Sequence, residues 1–552
     1  MKRTILLLVV LNIVLQIPWS LHRGMEPYLT LVIVGELAVL AGLCMCWPKW
    51  GGRALLFGLA GLMLVEIDRL VGVYLMSHDP LFYDQVFLMR HFLVLLSDLW
   101  TVWWTAAAVA LVAAGSLLAV MLRRAVKALA DGLPSLPPRV LPVGLAVLVV
   151  GTMLSTVLPK RTGPVRWISV EIAANLEKSV RIWRGVRAAP EDSPYQAFSA
   201  VTLERRPDVR FYIIESYGRI LASDEQTAPR WKALLAEIEA DLSADGWHSV
   251  SAYSQAPVSG GRSWLADGSV LMGMPIAYES LYRHLLLRVE EQPDMVDFFD
   301  TQGYRTVRLA PKDRARPGIE LTNDFHFQQP LSFIDLDYTG PALGWGWIPD
   351  QHSLGVVEER LLEGGPLFLF FHMVSAHIPW ETPPPILTDW RALSMLEGTL
   401  PEDRTDLTAE TLRQLKRYRR NQRYIVRSGS DALTMSAYFD AVAYDLEILR
   451  QHLKGDQRDS LIILMGDHQP PLVTRGETRS RDVPVHILSR DPELLKELSN
   501  HGFSPGLTPN EIGKTTLRHA GIFSLLVRTL AACCGESEPL PTYTAQGVRP
   551  HP

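Results

Sequence analysis

Three apolar runs in this chain end on residues that can do chemistry. Phe211-Tyr212-Ile213-Ile214 runs into Glu215, Leu461-Ile462-Ile463-Leu464-Met465 into Gly466-Asp467-His468, and the run at 367–374 into Ser375-Ala376-His377. Glu215 alone reads as a surface charge or a neighbour of a helix cap, and Asp467-His468 alone as a turn after a buried strand. Together they offer two carboxylates and an imidazole, the mixed oxygen and nitrogen set that suits zinc or manganese. A fourth segment, Ser259-Gly260-Gly261-Arg262-Ser263, puts a hydroxyl directly after two glycines and an arginine. Glycine lets backbone approach a ligand, helix-start amides attract anions, and an arginine such as Arg262 holds phosphate through two nitrogens. A serine hydroxyl is a poor nucleophile until a metal or base activates it. Without the metal set, Ser263 would read as the N-cap of a helix after a Gly-rich turn.

Strand ends that carry such groups imply an open α/β sheet, where ligands gather at the carboxyl edge. Apolar runs at 209–214, 367–374, 461–465 and 483–488 alternate with helical patterns near 229–244 and 434–453. That alternation predicts an α/β domain with a mostly parallel sheet covered on both faces. The helical spacing at 170–189 predicts an amphipathic tether, the polar stretch 381–430 a surface insertion, and 536–552 a disordered tail. His372 and His486 lie inside apolar runs and read as structural, His486 as a satisfied core histidine. Trp345 and Trp347, around Gly346, read as packing or as a platform for a sugar or glycerol.

The chain has 552 residues, 48% of them hydrophobic, and its mean hydropathy is +0.09. That is too long for one core and too apolar for a wholly soluble protein. Five runs, 4–20, 28–48, 54–76, 101–122 and 140–158, approach the length needed to cross a bilayer. Lys2 and Arg3, Lys49 and Arg53, and Arg123, Arg124, Lys127 and Arg139 flank them on one side. The positive-inside rule makes those loops cytoplasmic, and an odd number of spans then puts everything after about 160 outside. The expected organisation is a five-helix transmembrane bundle at 1–160, a tether at 161–205, a catalytic domain at 206–535 and the tail. Glu66, Asp68 and Arg69 in the third run read as an ion pair that fixes bundle packing or as a guide for a lipid headgroup. The segment 77–100 reads as an amphipathic stretch in the outer interface. Lys and Arg number 54 against 59 Asp and Glu, with no long basic stripe, so nucleic acid is not an expected partner. Cys44, Cys46, Cys533 and Cys534 show no disulfide framework.

Glu215 at a strand end, G-G-R-S at 260–263 with A-D-x-x-V-L-x-G-x-P downstream, W-G at 345–346, S-A-H-x-P at 375–379 and G-D-H at 466–468 together resemble the alkaline phosphatase and sulfatase superfamily. The similarity is greatest to its membrane-anchored lipoteichoic acid synthases and phosphoethanolamine transferases, which share five spans and an outer catalytic domain. The resemblance implies an alkaline phosphatase/sulfatase-like fold, with one divalent metal, manganese or zinc rather than magnesium, held by Glu215, Asp467, His468 and Ser263. It makes Ser263 the nucleophile, His377 a phosphate binder or acid/base, and Arg262 and Trp345 part of the substrate pocket. It implies a multi-pass protein of the bacterial cytoplasmic membrane with its catalytic domain outside, a phospholipid donor, and an envelope glycan or lipid acceptor. Three departures stand out: serine replaces the branch's usual threonine, the disulfides of the phosphoethanolamine enzymes have no counterpart, and Gln469-Pro470-Pro471 follows G-D-H. Transfer of a phosphoglycerol or phosphoethanolamine headgroup is the expected activity, and phosphodiester hydrolysis the alternative. Ser263 does not stand in the C/S-x-P-x-R motif of formylglycine sulfatases, which disfavours sulfate-ester hydrolysis. A catalytically dead scaffold is disfavoured by the intact ligand set.

Overall fold

The computed structural model describes residues 2–22, 32–76, 81–87, 102–158, 163–187, 193–287, 292–313, 324–341, 343, 348–395, 408–421, 424–425, 432–471, 480–510, 516–536 and 540–548. The chain forms two compact units that divide at Arg184 and Gly185. In the first, helices α1 (Lys2–His22), α2 (Gly35–Cys46), α3 (Pro48–Met76), α4 (Val102–Gly132), α5 (Val140–Val157) and α6 (Ile168–Arg187) follow in order. Among the described residues three helices, α1, α3 and α5, are long and apolar enough to cross a membrane. Helix α5 spans about 27 Å at the helical rise, close to a bilayer's hydrocarbon thickness. Its Val143, Leu145, Val150 and Met153 lie exposed, as lipid-facing side chains would.

Five full spans are therefore not all found. The expected run 28–48 forms only the twelve residues of α2, about 18 Å long, behind a short strand, Ile33–Val34, paired with Val165–Arg166. The run 101–122 falls within α4, most of whose first side chains lie outside the described residues. Most of 77–100 lies outside them too, but the Phe82 and Tyr83 amides donate to Asn175 Oδ1 and Ser179 Oγ of α6. Glu66 and Arg69 serve packing. Buried Arg166 donates to Glu66 at 2.6 Å, to Glu171 at 2.8 and 3.0 Å, and to Gln16 at 3.0 Å, while Arg69 binds the same two glutamates. Two arginines matched by two glutamates leave no surplus charge, so the network ties α1, α3 and α6 together. Breaking such a buried pair costs about 3–5 kcal/mol.

The second unit is built on an eight-stranded sheet: β1 (Asp208–Ile214), β2 (His248–Gln255), β3 (Arg305–Ala310), β4 (Gln329–Ser332), β5 (Leu367–Met373), β6 (Ser460–Gly466), β7 (Asp482–Ser489) and β8 (Ser504–Pro505). Their order is β8-β2-β7-β6-β1-β5-β3-β4. The five strands from β6 to β4 are parallel, and β7, β2 and β8 add an antiparallel edge. Strands β1, β5 and β6 are buried throughout and predominantly apolar, with Arg210 of β1 paired to Asp456 and Ser460. On one face α7 (Ala228–Ala244) inserts Trp231, Leu235, Ile238 and Leu242, spaced as one helical stripe, beside α9 (Ala432–Leu453). On the other, Phe299 stacks on Phe368 at 4.2 Å. Truncating Trp231 to alanine removes about 3–5 kcal/mol of this packing.

The elements expected at 209–214, 229–244, 367–374, 434–453, 461–465 and 483–488 are all present. Strands β2, β3 and β4 were not expected, because serines, arginines and a proline interrupt their apolar pattern. The expected disordered tail is corrected over 540–548. There Arg518 N donates to Ala545 O at 2.7 Å, Val548 N to Gly273 O at 3.0 Å, and Tyr543 packs edge-on against His501. Backbone polar groups paired in this way hold a segment whose composition alone reads as loose.

Candidate active site

The register of three adjacent parallel strands builds the site. Met465 of β6 lies opposite Ile213 of β1, and Ile213 opposite His372 of β5, so Asp467, Glu215 and His372 meet at one carboxyl edge. Gly466 is required there, because a Cβ would stand 2.0 Å from the Tyr217 carbonyl. Ser216, just after Glu215, takes a left-handed backbone (φ 59°), as does Arg262 (φ 66°), just before Ser263. Non-glycine residues held there cost about 1–3 kcal/mol and concentrate at functional sites.

Helix α8 (Ser263–Met272) begins on the candidate nucleophile, with Arg262 buried in the N-cap position. Arg262, not Ser263, is the N-cap residue, and Ser263 is the first residue of the helix. Its hydroxyl donates to Glu215 Oε2 at 3.1 Å and lies 3.3 Å from His468 Nε2. The cap reading of Ser263 therefore fails.

Asp467 Oδ1 accepts from the Ser216 and His468 amides at 2.7 and 2.6 Å, which fixes the carboxylate in its plane. Its buried Oδ2 receives no hydrogen bond and lies 3.2 Å from His468 Nε2. His468 Nδ1 meets the Gln469 carbonyl at 3.0 Å, so the proton sits on Nδ1 and the Nε2 lone pair faces the carboxylates. Oxygen and nitrogen ligands about 2.1 Å from one metal stand about 3.4 Å apart in a tetrahedral shell. The separations of Ser263 from Glu215 and His468, and of His468 from Glu215 and Asp467, are 3.1 to 3.5 Å and fit a divalent ion. The residues Glu215, Asp467, His468 and Ser263 can hold one.

The charges agree with that fit. Burial raises the Glu215 carboxyl, but the Lys312 ammonium, followed by the hydrogen bond to His372, outweighs it and holds it well below the usual carboxylate range. Burial, with the Glu215 carboxylate beside it, pushes Asp467 up. Half-buried His377 is lowered by burial and so kept neutral, and its Nδ1 bonds the Ile378 carbonyl, which leaves Nε2 to exchange protons. Trp345 lies outside the described residues.

Several contributors escaped the sequence reading. Lys312 Nζ lies 3.5 Å from Glu215 Oε2, its side chain a third exposed. It follows β3, whose alternation of Val307 and Leu309 with polar residues was the available signal. His372, read as structural, sits 3.3 Å from Glu215 Oε2 and is one of three groups, with Glu215 and Asp467, whose ligand atoms lie within 4.8 Å of one another. Buried His519 lies 3.0 Å from the Asp467 carbonyl and 3.0 Å from Ser254 Oγ, a brace behind the G-D-H turn. Asp350 Oδ2 gathers the Val374 and Ser375 amides at 2.7 and 2.6 Å and so shapes the turn that presents His377. His486 is a core histidine as expected, bonded to Tyr217 Oη at 2.9 Å and Ser251 Oγ at 2.8 Å.

Fold and site together define an α/β unit whose parallel strands end on a buried carboxylate and imidazole centre beside a helix-borne serine. No protein-family model and no curated protein matches the chain. Among solved structures it is similar to a protein in the alkaline phosphatase superfamily from Vibrio parahaemolyticus (16% identity over 65% of this chain and 76% of that one, TM-score 0.39). It is also similar to the lipoteichoic acid synthase LtaP from Listeria monocytogenes (15%, 64% and 81%, TM-score 0.37). A third is the C-terminal periplasmic domain of EcEptC from Escherichia coli in complex with Zn (15%, 63% and 88%, TM-score 0.37).

Proposed function

We propose that the protein is a membrane-anchored, metal-dependent transferase of the bacterial cytoplasmic membrane. It moves a phospholipid headgroup, phosphoglycerol or phosphoethanolamine, to an envelope glycan or lipid acceptor through a phosphoserine on Ser263. The observation that carries this reading is the Ser263 hydroxyl, turned from its helix to within 3.1 Å of Glu215 and 3.3 Å of His468. Glu215, Asp467, His468 and Ser263 would hold a divalent ion, which when bound would lower the hydroxyl's pKa and offset charge on the phosphate.

Arg262 and the first amides of α8 hold the phosphate oxygens. Ser263 Oγ attacks phosphorus, the bond to the diacylglycerol oxygen breaks, and that oxygen takes a proton. An acceptor hydroxyl then attacks the phosphoserine, releasing Ser263. His377 Nε2 serves as the acid and base for these protons, and Lys312 balances the developing charge beside Glu215. Apolar helices α1, α3 and α5 are long enough to anchor the chain in a bilayer, which supplies the lipid donor.

The full chain in detergent, given headgroup-labelled phosphatidylglycerol or phosphatidylethanolamine, should release diacylglycerol only with zinc or manganese present. No metal-dependent release from either lipid would refute the reading. Release of free headgroup with every acceptor tried would assign hydrolysis instead.

A further inference from the structure

His372 and Asp267 form a pair that the centre read from sequence leaves unused. His372 lies on β5, 2% exposed, and its Nδ1 is 2.9 Å from Asp267 Oδ2. Asp267 stands four residues after Ser263 in α8, so one turn of one helix face carries both the nucleophile and this carboxylate. The opposite nitrogen, Nε2, lies 3.3 Å from Glu215 Oε2 and 3.9 Å from Asp467 Oδ2, the oxygen that receives no hydrogen bond.

Geometry gives the imidazole its role. The carboxylates of Glu215, Asp267 and Asp467 converge on His372, with Asp267 at one ring nitrogen and Glu215 and Asp467 at the other. Glu215, His372 and Asp467 are all buried, and each offers a ligand atom within 4.8 Å of the others. Asp267, 2.9 Å from Nδ1, is placed to orient the ring so that Nε2 faces those carboxylate oxygens at 3.3 and 3.9 Å. A carboxylate bound to the far nitrogen of a ligating histidine is also the usual way such a ring is oriented and made more basic.

We propose that His372 is a metal ligand oriented by Asp267, so that the centre carries two imidazoles, and that Asp267 ties the nucleophile helix to the metal. The inference rests on the metal-dependent reading above and extends its ligand set by one residue. Asp267 is a positioning residue: it acts on the metal through His372.

The test uses the full chain in detergent, stripped of metal and titrated with zinc ions. X-ray absorption of the loaded wild-type protein should show two imidazole nitrogens, and His372→Gln should show one. Zinc affinity should fall about 10- to 100-fold in His372→Gln and about tenfold in Asp267→Asn, the range expected for metal-orienting partners. Both metal-free variants should keep the wild-type thermal midpoint, and a lowered midpoint would be resolved by the wild-type absorption count, which needs no variant. Stoichiometric zinc with a single imidazole in the wild type, or unchanged affinity in both variants, overturns this inference and leaves the metal-dependent reading standing. Failure of the wild type to bind zinc overturns both.

Discussion

Ser263 Oγ, on the first residue of helix α8, donates to Glu215 Oε2, at the end of strand β1, at 3.1 Å. A hydroxyl aimed at a buried carboxylate rather than at its own helix amides is placed for chemistry, since a cap role would have used it locally. Ser263→Ala should lower turnover about a thousandfold or more while lipid binding changes little, because Arg262 and the helix amides remain. Diacylglycerol release and a lipid-binding titration on the same preparation measure the two effects. Near-normal transfer by the variant would contradict the assignment.

The metal centre makes a separate prediction. A Glu215→Ala, Asp467→Ala double variant should bind no divalent metal and should still unfold cooperatively in the metal-free state, at a lower midpoint because the buried Ser216 and His468 amides lose their acceptor. Stoichiometric metal in that variant would refute the ligand set.

His377→Ala should cost on the order of a hundredfold to ten-thousandfold in turnover if its Nε2 moves protons. Lipid binding should be less affected, and a Ser263 adduct that forms in the variant should discharge slowly. A rate within threefold of wild type would remove His377 from the reaction.

Burial lowers His486 to about 3, so the ring stays neutral in the folded protein while the unfolded chain protonates near 6.5. Between those values the unfolded state takes up a proton that the folded state refuses. Stability is then full above about pH 6.5 and falls as pH drops, by up to about 1.4 kcal/mol per pH unit. Thermal midpoints from pH 7 to 4 should decline less steeply in His486→Gln than in wild type. Parallel declines would show that acid acts elsewhere.

Topology is checked by reporter fusions at 130 and 200, which should fall on opposite sides of the membrane if the basic loops are cytoplasmic. Both on one side would contradict it.

Glu215 and Asp467 could be singled out because the apolar stretches Phe211–Ile214 and Leu461–Met465 lead to them at the sheet's carboxyl edge. His372 was not, because a histidine inside a strand looks the same whether it packs or ligates. Only the register with Ile213 and the position of Asp267 one helical turn from Ser263 separate those cases. Lys312 was hidden behind β3, where Arg305, Thr306 and Arg308 interrupt the apolar pattern. His519 and Asp350 act through backbone groups of residues distant in sequence, and no local spacing encodes such contacts. The second apolar run misled in the other direction, since hydropathy alone does not reveal that a twelve-residue helix and a strand pair divide it.

The central claim is that Ser263 carries the transferred group. Mass spectrometry of the full chain, mixed with zinc and headgroup-labelled phospholipid and quenched in acid before acceptor is added, tests it most directly. The expected result is one phosphoglycerol or phosphoethanolamine adduct per chain, mapped to the peptide holding Ser263 and absent in Ser263→Ala. Diacylglycerol release with no adduct on Ser263 at any quench time, or an adduct that persists in Ser263→Ala, would contradict it.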